Sequence, residues 1–170
     1  MELTMGQKTR NIIITSIFLL VVVVISLIVI LRVSFFRING NSMEPTLNPG
    51  DLVLSVPGKN FERGDLIAFD LEGVITIKRI IGIPGDIVFI EDDGTVYLND
   101  KELKEDYIKA KHKGDVEVPN PYKVQDNEYY VLGDNREDSK DSRLLKVGAI
   151  KEGQIKAKIV ASISKFKIIK

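Results

Sequence analysis

Val74-Ile75-Thr76-Ile77-Lys78-Arg79-Ile80-Ile81-Gly82-Ile83-Pro84-Gly85-Asp86 reads as a strand with its own stop signal. The first eight residues form a β-like run, and the Gly-Ile-Pro-Gly-Asp that follows ends it in a turn. Side chains alternate faces along a strand. Lys78 therefore shares a face with Thr76 and Ile80, while Arg79 shares the other with Ile77 and Ile81. If one face is core, one of the two cations is directed inward. Two readings of Lys78 stand side by side. Lysine on an edge strand is a common guard against aggregation. A lysine inside an apolar sheet instead has its charged form disfavoured, and its pKa falls from about 10.4 toward neutrality.

Outward from this strand the pattern repeats. Leu66-Ile67-Ala68-Phe69 precedes it, introduced by Gly64-Asp65, and Asp51 to Val56 precedes that. Downstream, Ile87 to Ile90 and Thr95 to Leu98 bracket Glu91-Asp92-Asp93-Gly94, a hairpin with a glycine-containing loop. Glu128 to Leu132 is a further strand, and Ile150 to Ile169 carries one or two more. Residues 101–125 are charged, contain Pro119 and Pro121, and read as a loop or excursion from the main sheet. Closely spaced short strands with few helical periods predict a mainly β domain, an antiparallel sheet or partly closed barrel.

The N-terminal part is different. Residues 1–11 are short and polar. Residues 12–31 carry no charge, long enough to span the hydrocarbon core as a helix. A cleaved signal peptide would have a shorter apolar region followed by an A-x-A-like site, and Arg32-Val33-Ser34-Phe35-Phe36 is not one. The expected organisation is a transmembrane helix over 12–31 and a β domain over 32–170. Lys8 and Arg10 flank one end of the helix, Arg32 and Arg37 the other, so the charge rule barely discriminates sidedness.

Composition narrows the function. The 170 residues hold 24 Lys plus Arg and 24 Asp plus Glu, a formal net charge of +0. That offers no global positive field for nucleic acid. The absence of cysteine excludes disulfides and thiolate metal sites. The one histidine, His112, lies in the charged run Lys109-Ala110-Lys111-His112-Lys113 and reads as a surface residue, so a hydrolase built on this chain needs another base.

Lys78, if its amine is buried and neutral, is a candidate base, and Gly40-Asn41-Ser42-Met43-Glu44-Pro45-Thr46-Leu47 holds a candidate nucleophile. Read alone, Ser42 is equally an ordinary turn serine. A Ser-Lys dyad needs a neutral, buried amine within reach of the hydroxyl. A third segment, Gly133-Asp134-Asn135-Arg136-Glu137-Asp138-Ser139-Lys140-Asp141-Ser142-Arg143, is either an exposed polar loop or a buried network. In the network Asp141 and Arg143 pair and Ser139 orients an amine. A calcium loop fails because its sixth position is Ser139 rather than glycine. No nucleophile elbow, P-loop or H-E-x-x-H is present.

Together these segments resemble the type I signal peptidases, in their Gram-positive form with a single anchor. Ser42 to Leu47 looks like the nucleophile segment, Gly64 to Phe69 the following strand, Lys78 to Asp86 the base segment, and Gly133 to Arg143 the final signature. The resemblance implies a membrane-bound serine endopeptidase with its domain on the extracytoplasmic side. It would remove signal peptides from preproteins with small residues immediately before the bond and two residues further upstream. It implies Ser42 as nucleophile, Lys78 as general base, Ser139 as the residue orienting Lys78, and Asp141–Arg143 as a structural ion pair. The Ser42 N–H would be one oxyanion donor; Gly40 stands where some members carry a hydroxyl donor. Ile38, Met43, Leu47 and Ile77 would line the substrate pockets. No cofactor and no metal are implied. The partners implied are preprotein signal peptides and membrane lipid, with no nucleic acid, for a monomeric enzyme beside the secretion translocon. The alternatives are a self-cleaving Ser-Lys peptidase of the repressor type and a catalytically silent membrane-anchored β module. From Leu31 to Ser42 is 42 − 31 = 11 steps. At about 3.3–3.6 Å per extended residue, Ser42 lies within roughly 40 Å of the helix end.

Overall fold

The computed structural model describes residues 5–169, so residues 1–4 of the N-terminal segment lie outside the described residues. The chain forms two units, Met1–Ser34 and Phe35–Lys170. The first is built on helix α1 (Met5–Arg32). Its stretch Gly6–Leu27 has a mean hydropathy of 2.4 and is long and apolar enough to cross a membrane.

The second unit is almost entirely β. In chain order it comprises β1 (Ser34–Arg37), β2 (Leu52–Val56), β3 (Leu66–Leu71), β4 (Val74–Gly82), β5 (Ile87–Ile90), β6 (Val96–Leu98), β7 (Lys101–Glu102), β8 (Tyr122–Lys123), β9 (Glu128–Leu132), β10 (Ile150–Lys151), β11 (Ile155–Ser162) and β12 (Lys167–Ile168). The larger sheet has the order β1-β2-β11-β3-β4-β9-β10, with β12 also on β11. The smaller has the order β7-β6-β5-β8. The expected hairpin is β5–β6, with Phe89 opposite Tyr97. The excursion over 101–125 contributes β7 and β8, one at each edge of the smaller sheet.

The larger sheet is open. β1 and β10 are its two ends, and no pairing joins them among the described residues. Of the two architectures expected, the antiparallel sheet is the one formed, and it carries a second small sheet. The physical reason lies in strand length. The end strands have four and two residues, too few to continue the ladder around a closure.

Three apolar clusters hold the fold. One gathers Ile38, Met43, Leu47, Val53, Leu66, Ala68, Ala157 and Ile159. A second gathers Ile81, Val88, Ile90, Tyr130 and Leu132. The third gathers Ile67, Phe69, Ile80, Tyr129 and Val131. Residues from β3 and β4 enter different clusters, so both faces of the central sheet are covered. That is why Lys78 and Arg79, on opposite faces of β4, are both buried, at 3% and 4% exposure.

β4 has an asymmetric environment along its length. β3 pairs with it from Val74 to Arg79. On the other side β9 joins only at Arg79, opposite Leu132. Residues 74–78 thus keep one unpaired edge, and Lys78 is the last residue of that edge before the ladder begins.

Candidate active site

The Ser42 turn is compact because its backbone closes on itself. Glu44 N donates to Asn41 O at 3.0 Å, and Leu47 N donates to Met43 O at 2.8 Å. Leu47 and Met43, 0% and 2% exposed, plug the turn into the first apolar cluster. Burying two such side chains contributes roughly 1.5–3 kcal/mol each. Ser42, between them and the cleft, is half-buried.

The segment after β9 approaches the turn from the other side. Asn135 N donates to Ser42 O at 3.0 Å, and Asn135 Nδ2 donates to Asn41 O at 3.3 Å. This approach needs Gly133. A Cβ there would stand 2.5 Å from Ser42 O and 2.2 Å from Ser139 Oγ, inside any permitted contact.

Lys78 meets Ser42 in this enclosure. Its Nζ donates to Ser42 Oγ at 2.6 Å and to Ile77 O at 3.1 Å. Burial pushes the amine down from 10.5 to about 8. The nearby carboxylates Asp141 and Asp134 oppose that fall, and the Arg143 guanidinium adds to it. Desolvation therefore wins over the surrounding carboxylates, and a usable fraction of the amine is neutral near physiological pH.

Asp141 and Arg143 form a bidentate pair. Arg143 Nε and Nη2 donate to the two carboxylate oxygens at 2.8 and 2.9 Å. The side chains are 0% and 3% exposed. Asp141 Oδ2 also accepts Gly133 N at 3.0 Å, so the pair fixes the glycine that admits the loop to Ser42. Ser139 Oγ is buried and has no hydrogen-bond partner, neither Lys78 nor any other.

Ile38, Met43 and Ile77 line a cleft of about 990 Å³ together with Ser42, Lys78 and the free-edge residues Val74, Ile75 and Thr76. Leu47 is not on its wall. It lies fully buried within the apolar cluster that also holds Ile38 and Met43. Asp138, Lys140 and Lys146 complete the rim.

A second buried network escapes sequence reading. Arg79 Nε and Nη2 donate to the carboxylate of Asp134 at 2.8 and 2.7 Å, and Thr46 Oγ1 donates to the same carboxylate at 2.5 Å. The Tyr107 ring stacks on the Arg79 guanidinium, 4.0 Å from its centroid. One carboxylate thereby ties the residue after the candidate base to the turn after the candidate nucleophile. Arg136 pairs with Glu105 in a similar buried contact. The adjacency of Arg79 to Lys78 was a visible signal; its partner, 55 positions away, was not. Among the described residues no cluster of His, Asp or Glu has the arrangement of a metal site.

The chain is similar to known peptidases. The family model for signal peptidase, peptidase S26, matches residues 10–164. Signal peptidase I S of Bacillus subtilis is 36% identical over 138 residues, covering 72% of this chain and 74% of that protein. Signal peptidase IB of Staphylococcus aureus is 35% identical over 144 residues, covering 73% of this chain and 74% of its own. The crystal structure of a signal peptidase I from Enterococcus faecalis is 33% identical and covers 58% of this chain and 96% of that one, with a TM-score of 0.47. A family match across nearly the whole chain, from within the apolar helix through β11, means that this chain belongs to the signal peptidase family, peptidase S26, as a membrane-anchored serine protease.

Proposed function

We propose that the chain removes N-terminal signal peptides from exported preproteins by Ser-Lys catalysis. The observation that carries this reading is the 2.6 Å contact between Lys78 Nζ and Ser42 Oγ at the end of an unpaired strand edge. A substrate segment added along residues 74–78 brings its backbone carbonyl to the hydroxyl without folding back on itself.

The chemistry runs through one amine. Neutral Lys78 accepts the Ser42 proton as Oγ attacks the scissile carbonyl. The carbonyl oxygen becomes an oxyanion, stabilised by the Ser42 N–H. The ammonium returns its proton to the leaving amine as the C–N bond breaks, leaving an acyl-serine. Neutral Lys78 then takes a proton from water, which attacks the ester, and Ser42 recovers its proton as the signal peptide's carboxylate departs. The Asp141–Arg143 pair holds Gly133 and the signature segment, and Ser139 supplies a hydroxyl to orient the Lys78 amine when the cleft is filled.

Selectivity follows from the wall. Ile38, Met43 and Ile77 offer no charge or hydrogen bond to a substrate side chain, so buried polar groups there go unpaired. Small residues immediately before the bond and two residues upstream fit this wall. Residues 12–31 act as the membrane span and 32–170 as the catalytic domain on the extracytoplasmic side, where the substrate is exposed. The enzyme works as a monomer in contact with lipid, near the secretion translocon.

The test is incubation of the full chain, in mixed micelles, with a preprotein carrying an A-x-A site. Wild type cuts after the second alanine and Ser42→Ala does not. Retained cleavage by purified Ser42→Ala removes the assignment.

A further inference from the structure

The Ser42 turn is held at its front by Asn135. Its rear is held by a lysine from the other end of the chain. Lys165 lies in the loop joining β11 to β12. Its ammonium donates to Pro45 O and to Thr46 O, both at 3.0 Å, and stands 3.3 Å from Asp51 Oδ2. Pro45 and Thr46 belong to the turn closed by Leu47 N and Met43 O. The last carbonyls of such a turn have no internal partner and need an external donor. An ammonium has three protons to give. Lys165 directs its contacts at one turn and the carboxylate beside it.

The support is braced on both sides. Asp51 Oδ2 accepts Asn48 N at 2.9 Å, so the same carboxylate fixes the chain just after the turn and faces Lys165. The hairpin carrying Lys165 is in turn pinned to the start of β2. Leu52 N donates to Ser164 Oγ at 2.8 Å, and Ile163 N donates to Leu52 O at 2.8 Å. A lone exposed ion pair of Lys165 with Asp51 would matter little. Here the lysine side chain is 29% exposed and the Asp51 side chain 12%, and two carbonyls of the nucleophile turn share the ammonium.

We propose that Lys165 is a positioning residue for Ser42. It clamps the rear of the nucleophile turn so that Oγ stays on the Lys78 amine and on the line of attack. The inference rests on Ser42 being the nucleophile. Displacement of a reacting atom by about an ångström costs up to about a hundredfold in rate, so loss of one of several supports should cost about tenfold.

The experiment compares Lys165→Ala, Lys165→Arg and the neighbouring exposed Lys167→Ala with wild type and Ser42→Ala. All are full chains in mixed micelles, assayed on one A-x-A peptide. Lys165→Ala should lower kcat about tenfold with KM within about twofold. Its acid limb should stay near the wild-type position, because the surroundings of Lys78 are untouched. Lys165→Arg should recover most of kcat, and Lys167→Ala should match wild type. The proposal is overturned if Lys165→Ala keeps wild-type kcat, or if only KM changes. It is also overturned if activity falls only in step with folded protein seen by circular dichroism, if arginine does not rescue, or if Lys167→Ala is equally slow. An inactive Ser42→Ala beside a fully active Lys165→Ala rejects this inference alone; an active Ser42→Ala rejects the nucleophile reading itself.

Discussion

Lys78→Met should abolish cleavage and make the protein more stable. The buried amine is held at about 8 against 10.5 in an ordinary lysine. At about 1.4 kcal/mol per pH unit, that fall corresponds to about 3 kcal/mol charged against the folded state whenever Lys78 is protonated. Methionine fills a similar volume without that penalty, while the hydrogen bonds to Ser42 Oγ and Ile77 O are lost, at about 1 kcal/mol each. The variant should therefore gain on the order of 1–3 kcal/mol at pH 7. The pH dependence isolates the cause. The folded amine loses its proton near 8 and the unfolded amine near 10.5, so between those values the unfolded chain holds more protons and wild type gains stability as pH rises. Below 8 the penalty is full. The advantage of Lys78→Met should be constant up to about pH 8 and shrink by about 3 kcal/mol by about pH 10.5. Other groups titrate alike in both proteins and cancel in the difference. The assay is paired denaturant unfolding at pH 7, 9 and 10.5, followed by circular dichroism. A stability gap that stays flat across that range would refute a desolvated, depressed Lys78, and with it the physical basis for a lysine base.

Four further outcomes are expected. Wild-type kcat/KM should fall about tenfold per pH unit below about 8, since the charged amine cannot accept the Ser42 proton; a profile flat from pH 5 to 8 contradicts it. Asp141→Ala should destabilise the protein by about 3–5 kcal/mol in chemical denaturation, because Arg143 is left charged and buried; in any folded fraction the acid limb should move to lower pH, as a carboxylate that favours charged Lys78 is gone. Gly133→Ala should cost about a hundredfold or more in kcat, read from steady-state kinetics, since its Cβ would collide with Ser42 O and Ser139 Oγ. Ile77→Ala should admit larger residues at one of the two selective substrate positions, and an unchanged profile across a peptide series removes Ile77 from the wall.

The strands were legible because each is a short apolar run ended by Gly, Pro or Asp. β3, β4, β5 and β9 stand where those signals put them. β1 was not, since Ser34–Arg37 follows directly on an apolar helix with no turn signal between them. The degree of closure was not legible, because alternation reports which face of a strand is buried, not how many strands complete a ring. The pairing of Asp141 with Arg143 was readable at two residues apart. The Lys78–Ser42 contact, 36 residues apart, followed from residue types and the segments' order. The Arg79–Asp134–Thr46 network and the Lys165 clamp were not readable. Their members are separated by 33 to 120 positions, and no local pattern marks a lysine or threonine for such a partner.

The unpaired stretch of β4 has a consequence for when cleavage occurs. A strand edge recognises backbone donors and acceptors that are still free. A segment already committed to a helix or an internal sheet of its own has none to offer. On the proposed function, residues 74–78 would act as a conformational filter as well as a binding surface, testing whether the incoming chain has yet begun to fold. A potential cut site inside a mature, folded domain is invisible to this edge even where its side chains are small. The extended linker between a signal segment and an unfolded passenger is visible at once. On that proposal selectivity would rest on two independent readings of the substrate, its side-chain size at the apolar wall and its folding state at the sheet edge, and the second would spare proteins that have already folded.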